Sequence, residues 1–163
     1  MVKAFSPEEI KEALKVVKDP EIPALSVVDL GIITKIEQSE KGLNITMTPT
    51  FVGCPAIDVM KKDIKEAGEK LGYGEVEVFV DYDTPWNSNK MTEEGRDALE
   101  KFGLAPPPHL DKEMELSDLD RVRCPHCGST DTTLRSAFGS TLCRAIRFCF
   151  NCKQGFEQFK PVD

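Results

Sequence analysis

The feature that most constrains this chain is a repeated Cys-x-x-Cys in its last quarter. Cys124-Pro125-His126-Cys127 is followed by 21 residues and then by Cys149-Phe150-Asn151-Cys152. Two such pairs, each on a tight turn, place four thiolates at the corners of a tetrahedron, which suits one structural zinc per chain. An iron-sulfur cluster on the same four cysteines is the alternative, since cluster ligands use the same spacing. The interval is slightly longer than usual, and a longer hairpin absorbs it. Between the pairs, residues 130–136 and 143–148 have strand character with Gly139-Ser140 at the turn, so the tail reads as a β-rich zinc ribbon. A module of about 40 residues buries too little surface to fold alone, so the metal supplies folding energy. Cys143 falls outside the pattern and reads as a small buried hydrophobe on a strand, or as an additional thiol.

The metal reading presumes a reducing compartment. No run approaches the roughly 20 apolar residues needed to cross a bilayer, and the first residues lack the apolar core of a signal peptide. The expectation is a cytoplasmic protein whose six cysteines bind metal rather than pair. At 40% hydrophobic and 30% charged, the chain can build a packed core. Its net charge of -7 is divided unevenly. Residues 121–163 carry seven basic and three acidic side chains, a net of +4, while the first 120 hold 14 and 25, a net of -11. The opposition suggests two modules. Between them Gly103 to Asp120 joins three prolines to an acidic stretch, the composition of a linker. The expected organisation is therefore a domain over 1–102, a linker over 103–120 and the ribbon over 121–163. Five tail arginines, Arg121, Arg123, Arg135, Arg144 and Arg147, form a candidate anionic docking face. The acidic first module and the lack of interleaved aromatic platforms argue against nucleic acid as the partner.

In the first module, Ser6-Pro7-Glu8-Glu9 starts a helix by capping, and Asp19-Pro20 ends it. Residues 31–36 and 43–48 read as a hairpin turning at Glu40-Lys41-Gly42. A second helix begins at Pro55 and ends at Leu71-Gly72, and Val76, Val78 and Val80 alternate along a third strand. A short helix from Met91 to Phe102 is capped by Thr92. The order α-β-β-α-β with a crossover helix gives an α+β fold, a mixed sheet with helices on one face. Trp86, between Pro85 and Asn87, reads as a loop anchor against that sheet.

The first module holds a second chemical candidate. Cys54 lies in Thr48-Pro49-Thr50-Phe51-Val52-Gly53-Cys54-Pro55, after a strand and before a helix. A thiol at a helix N-terminus faces free amides and the positive end of the dipole, which lowers its pKa and suits it to ligate iron or carry sulfur. A buried Cys serving as a weak cap is the bland alternative. Carboxylates at Asp19, Glu21 and Asp29 precede it. They fit acid-base work, but Asp before Pro and Asp near Gly are also ordinary turn residues that accept hydrogen bonds from loop amides.

Taken together, Asp19-Pro20-Glu21, Asp29-Leu30-Gly31, Gly53-Cys54-Pro55 and Thr84-Pro85-Trp86 resemble a small iron-sulfur cluster assembly domain, formerly a domain of unknown function, over residues 6 to 105. The tail is similar to the C-terminus of the PaaD (PaaJ) family of phenylacetate degradation. The likeness lies in Cys124-Pro125-His126-Cys127-Gly128-Ser129, Phe138-Gly139-Ser140-Thr141-Leu142-Cys143, Cys149-Phe150-Asn151-Cys152 and Phe156 to Pro161. The family's recurring Phe-Gly-Ser-Thr-x-Cys raises the stake on Cys143, while Lys153-Gln154-Gly155-Phe156 departs from its Glu-Pro-Phe. The resemblance implies a non-enzymatic accessory factor that helps insert or repair the iron or iron-sulfur cofactor of the multicomponent phenylacetyl-CoA epoxidase. In that role Cys54 would contact iron, sulfur or a transient cluster, with Asp19, Asp29 and Thr50 shaping its loop. The implied partners are the oxygenase or reductase subunits and the iron-sulfur assembly machinery, and self-association as a homodimer stays open. The alternative is a stoichiometric structural or redox subunit of the complex.

Overall fold

The computed structural model describes residues 4–110 and 120–162, so the acidic half of the linker, 111–119, lies outside the described residues. The chain falls into two compact units, residues 1–86 and 87–163. Among the described residues no helix is long and apolar enough to cross a membrane.

The first unit follows the α-β-β-α-β order. Helix α1, Pro7–Leu14, opens on a complete capping box in which the Ser6 hydroxyl accepts from Glu9 N and the Glu9 carboxylate accepts from Ser6 N. Strands β1 (Ile33–Gln38) and β2 (Gly42–Met47) form the expected antiparallel hairpin, and β3 (Glu75–Val80) joins β2 in parallel, so the sheet is mixed in the order β1-β2-β3. Helix α2, Ile57–Lys70, is the crossover that a parallel pair requires. Leu43, Ile45 and Met47 of β2 and Val76 and Val78 of β3 turn inward against Ile10, Leu14, Met60 and Ile64 of the helices, and all are buried. The opposite face carries Asn44, Glu75, Glu77 and Phe79 to solvent. Period-two alternation thus sorts one face into the core. Gly68 lets α2 approach this sheet: a Cβ there would stand 2.9 Å from Val76 Cγ1.

The second unit differs from what composition suggests. Helix α3, Glu93–Phe102, capped by Thr92 as expected, belongs here rather than with the first module. So does the start of the supposed linker. Leu104–Ala105 forms β4, which pairs in parallel with β7 (Gly155–Phe159) and completes a four-stranded sheet with β6 (Arg144–Cys149) and β5 (Thr132–Ser136) in the order β4-β7-β6-β5. The prolines that follow are strapped to α3. The buried Arg96 guanidinium donates to Pro107 O and, at 3.0 Å, to Ser88 O, Asn89 and Leu110 exchange two hydrogen bonds of 2.8 Å each, and His109 Nε2 lies 2.8 Å from Glu93 Oε1. Prolines cannot donate from their backbone, so Pro107 is held through its carbonyl, while Leu110 beyond the prolines both donates to and accepts from Asn89.

Candidate functional site

The ribbon cysteines converge as their spacing predicts. Each pair opens a knuckle in which the first cysteine's carbonyl accepts an amide four residues on, Gly128 N at 2.8 Å and Lys153 N at 3.0 Å. Both residues have positive φ, +78° and +62°. Glycine takes that conformation without cost, whereas Lys153 holds it with a side chain. The four sulfurs all lie within 4.8 Å of one another, with Cys124 and Cys152 3.8 Å apart and Cys127 and Cys149 3.6 Å apart. These separations exceed a disulfide's roughly 2.05 Å. They match the roughly 3.8 Å edge of a tetrahedron whose metal–sulfur bonds are about 2.3 Å, so the donor set fits a tetrahedral thiophilic ion. Cys124 and Cys149 are fully buried and form a small core with Ala105, Val122 and Phe156.

The thiols are unequal. Hydrogen bonds from the Asn151 carboxamide first, then from the Ser129 amide, hold the exposed Cys127 thiol down at about 6. Burial and the neighbouring sulfurs push Cys152 up to about 12. A dication that takes all four as thiolates must displace the protons, so its binding releases acid.

Cys143 is buried just before β6, with its sulfur 3.0 Å from Thr141 Oγ1, and is not one of the four clustered sulfurs. The loop before it is clamped. Glu157 Oε2 accepts from Ser140 N at 3.0 Å and from Ser140 Oγ at 2.8 Å, with Arg144 Nη1 3.5 Å from its second oxygen. Lys160 Nζ donates to Ala137 O at 3.0 Å and lies 5.2 Å from the Phe138 ring centroid. The clamp holds Phe138 at 72% and Leu142 at 53% exposure. The arginine docking face is smaller than expected. Arg147 is 3% exposed and bonds Asp120 and Gln158, Arg144 pairs with Glu157, and Arg135 lies 5.0 Å from the Phe148 ring centroid. Charge counting cannot see these internal partners.

In the first unit Cys54 precedes α2, but the helix begins at Ile57, with Ala56 as an N-cap that makes no side-chain bond. The thiol pKa is raised, not lowered as helix position alone implies. Burial is the largest cause, and the carboxylates of Glu21 and Asp19 add to it against hydrogen bonds from the Ala56 and Ile57 amides. Of the supporting residues, Asp19 is buried and accepts from Glu21 N at 2.8 Å, the turn chemistry expected of Asp before Pro. Thr50 is half-buried in the cysteine's loop. Asp29 accepts from the Ser26 hydroxyl at 2.8 Å and donates its amide back to it at 3.0 Å, so both of these bonds lie within its own turn. Glu21 is the group that sequence reasoning undervalues. Its signal is the Asp19-Pro20-Glu21 triplet, which puts two carboxylates on one turn. Trp86 is 2% exposed and donates from Nε1 to Leu30 O at 3.0 Å, anchoring the turn that carries Asp29.

Comparison with known proteins decides the family. A putative 1,2-phenylacetyl-CoA epoxidase subunit of Escherichia coli (strain K12) is 39% identical over 154 residues, 94% of this chain and 92% of that protein. The chain belongs to the PaaD family. Two family models each match one part of the PaaD-family sequence: an iron-sulfur cluster assembly protein matches residues 7–80, and a PaaD zinc beta ribbon domain matches residues 109–160. The first part is also similar to the Fe-S protein maturation auxiliary factor YitW of Bacillus subtilis (strain 168), 35% identical over 94 residues, 56% of this chain and 91% of that protein. The crystal structure of a domain of unknown function, DUF59, from Bacillus anthracis superposes with a TM-score of 0.52 at 29% identity, covering 56% of this chain and 89% of that one. The α+β architecture of this PaaD-family chain is that of the DUF59 assembly domain followed by a ribbon.

Proposed function

We propose that this chain is a non-catalytic maturation factor that assists iron or iron-sulfur insertion or repair in a multicomponent phenylacetyl-CoA epoxidase. The observation that carries the reading is Cys54, a half-buried free thiol on the loop that leads into α2 and outside the ribbon's cysteine cluster. A single thiol held protonated exchanges its proton for a metal only when cargo arrives, which suits transient contact with iron or sulfur better than a resident structural ion. The names of the relatives, an epoxidase subunit and an iron-sulfur maturation factor, support the same role. In the ribbon, Cys124, Cys127, Cys149 and Cys152 hold one zinc, which closes the fold. The clamped loop presents Phe138 and Leu142 to the client, an oxygenase or reductase subunit.

The test is Cys54→Ala in a strain lacking its own copy of the gene. The variant should keep one zinc per chain and its melting temperature, yet fail to restore epoxidase activity. Full restoration would overturn the reading. The relative's name, which makes it part of the epoxidase itself, favours a second reading, a stoichiometric structural or redox component. That reading requires constant-ratio co-purification with the catalytic subunits and indifference to Cys54→Ala.

A further inference from the structure

We propose that Asn151 is a positioning residue of the cysteine cluster, holding the Cys127 sulfur on the metal and shielding it from attack; the inference rests on the zinc reading above. Cys124 and Cys149 are fully buried, whereas Cys127 is exposed, so solvent and reagents meet the cluster at Cys127 first. Asn151 lies on the opposite knuckle, between Cys149 and Cys152, and its Nδ2 reaches back to donate to Cys127 Sγ at 3.5 Å. The bond therefore ties one knuckle to the other by a contact other than the ion.

The chemistry follows from charge. Four thiolates on a dication leave a net charge of about -2 on the site, and the exposed sulfur is the one that water or an electrophile can pull away. An amide N–H aimed at that sulfur withdraws negative charge from it and fixes its position, as partners of metal ligands commonly do. A side chain of the same size that cannot donate would leave the sulfur more nucleophilic and its bond to the metal shorter-lived. A merely structural role for an exposed asparagine predicts no such change in metal exchange.

The experiment uses the full chain loaded with zinc and follows zinc transfer to excess EDTA at neutral pH. In parallel, iodoacetamide labelling is mapped by peptide mass: the thiolate sulfur displaces iodide and gains a carboxamidomethyl group. Asn151→Asp keeps the shape but replaces the donor with a like-charged acceptor, and Asn151→Ala removes it. Both should transfer zinc about tenfold faster than wild type, the lower end of what partners of metal ligands contribute, with Cys127 labelled first. Transfer within twofold of wild type in Asn151→Asp overturns the inference, and that variant decides if Asn151→Ala folds poorly. A wild-type chain that holds no zinc overturns the reading beneath it, which metal analysis shows before any variant is compared.

Discussion

Replacing Glu157 with Gln tests whether the loop 137–143 is held by charge. One carboxylate oxygen receives both Ser140 donors, at 3.0 and 2.8 Å, and the other faces Arg144 at 3.5 Å. Burial alone would raise this carboxyl, but the Ser140 hydrogen bonds and Arg144 outweigh it and leave the pKa below the ordinary value. Hydrogen bonds to a charged group contribute about 1.5–3 kcal/mol in protected sites. The Glu157 side chain is 30% exposed, so the lower end applies, and Gln keeps the shape and one acceptor. A loss of roughly 1–2 kcal/mol follows, which lowers the melting temperature of a unit this size by about 4–16 °C. The pH dependence has a definite sign. A depressed folded pKa stabilises above the unfolded value of about 4.3, and that stabilisation is lost as pH falls through the folded value. Calorimetry of the zinc-loaded chain should therefore show the full gap between wild type and Glu157→Gln at pH 7 and a shrinking gap below about pH 5. A gap that is absent at pH 7, or that widens on acidification, refutes the charge clamp.

Three further outcomes are expected. Cys54, whose pKa is raised by burial and by Glu21 and Asp19, should be alkylated by iodoacetamide more slowly at pH 8 than a free thiol, and Glu21→Gln should speed it; equal rates for protein and free thiol would contradict the assignment. Trp86→Phe removes the donor to the buried Leu30 carbonyl and should cost about 2–4 kcal/mol in urea unfolding, from the orphaned carbonyl and lost ring area, a loss below about 1 kcal/mol being the contrary result. Stripping the metal with a chelator should erase hydrogen-exchange protection in β5–β7 while leaving β2 and α2 protected, because the small apolar cluster around Cys124 and Cys149 cannot hold the knuckles together without it.

What was legible in the sequence was local. The capping box at Ser6, the Thr92 cap and the paired Cys-x-x-Cys are fixed by residues within a turn of one another, and each appears where its spacing put it. Strands β4 and β7 were not legible. Leu104–Ala105 is strand only because β7 lies beside it, and the prolines after it have the composition of a linker although Arg96, eleven residues before Pro107, supplies a donor that straps them down. The Cys54 thiol shows the limit for chemistry. The helix rule that lowers a thiol pKa uses neighbours in sequence, while the carboxylates that help raise it, Asp19 and Glu21, stand far up the chain on another turn. Arg144 and Arg147 likewise read as surface charge in the sequence, whereas the fold pairs them with Glu157 of β7 and with Asp120.

One short contact bears on how such a chain is assembled over evolution. Ser88 donates its amide to Val162 O at 2.8 Å and receives the Val162 amide on its hydroxyl at 3.1 Å, so the two limits of the second unit meet. A unit whose entry and exit are adjacent can be spliced into a host at a single surface point without prising the host apart. Residues 87–162 therefore have the geometry of a transplantable cassette, helix and proline strap included. A graft cut at residue 121, where the cysteines alone would place the border, would leave β7 without its β4 neighbour and the Arg147 anchor without Asp120.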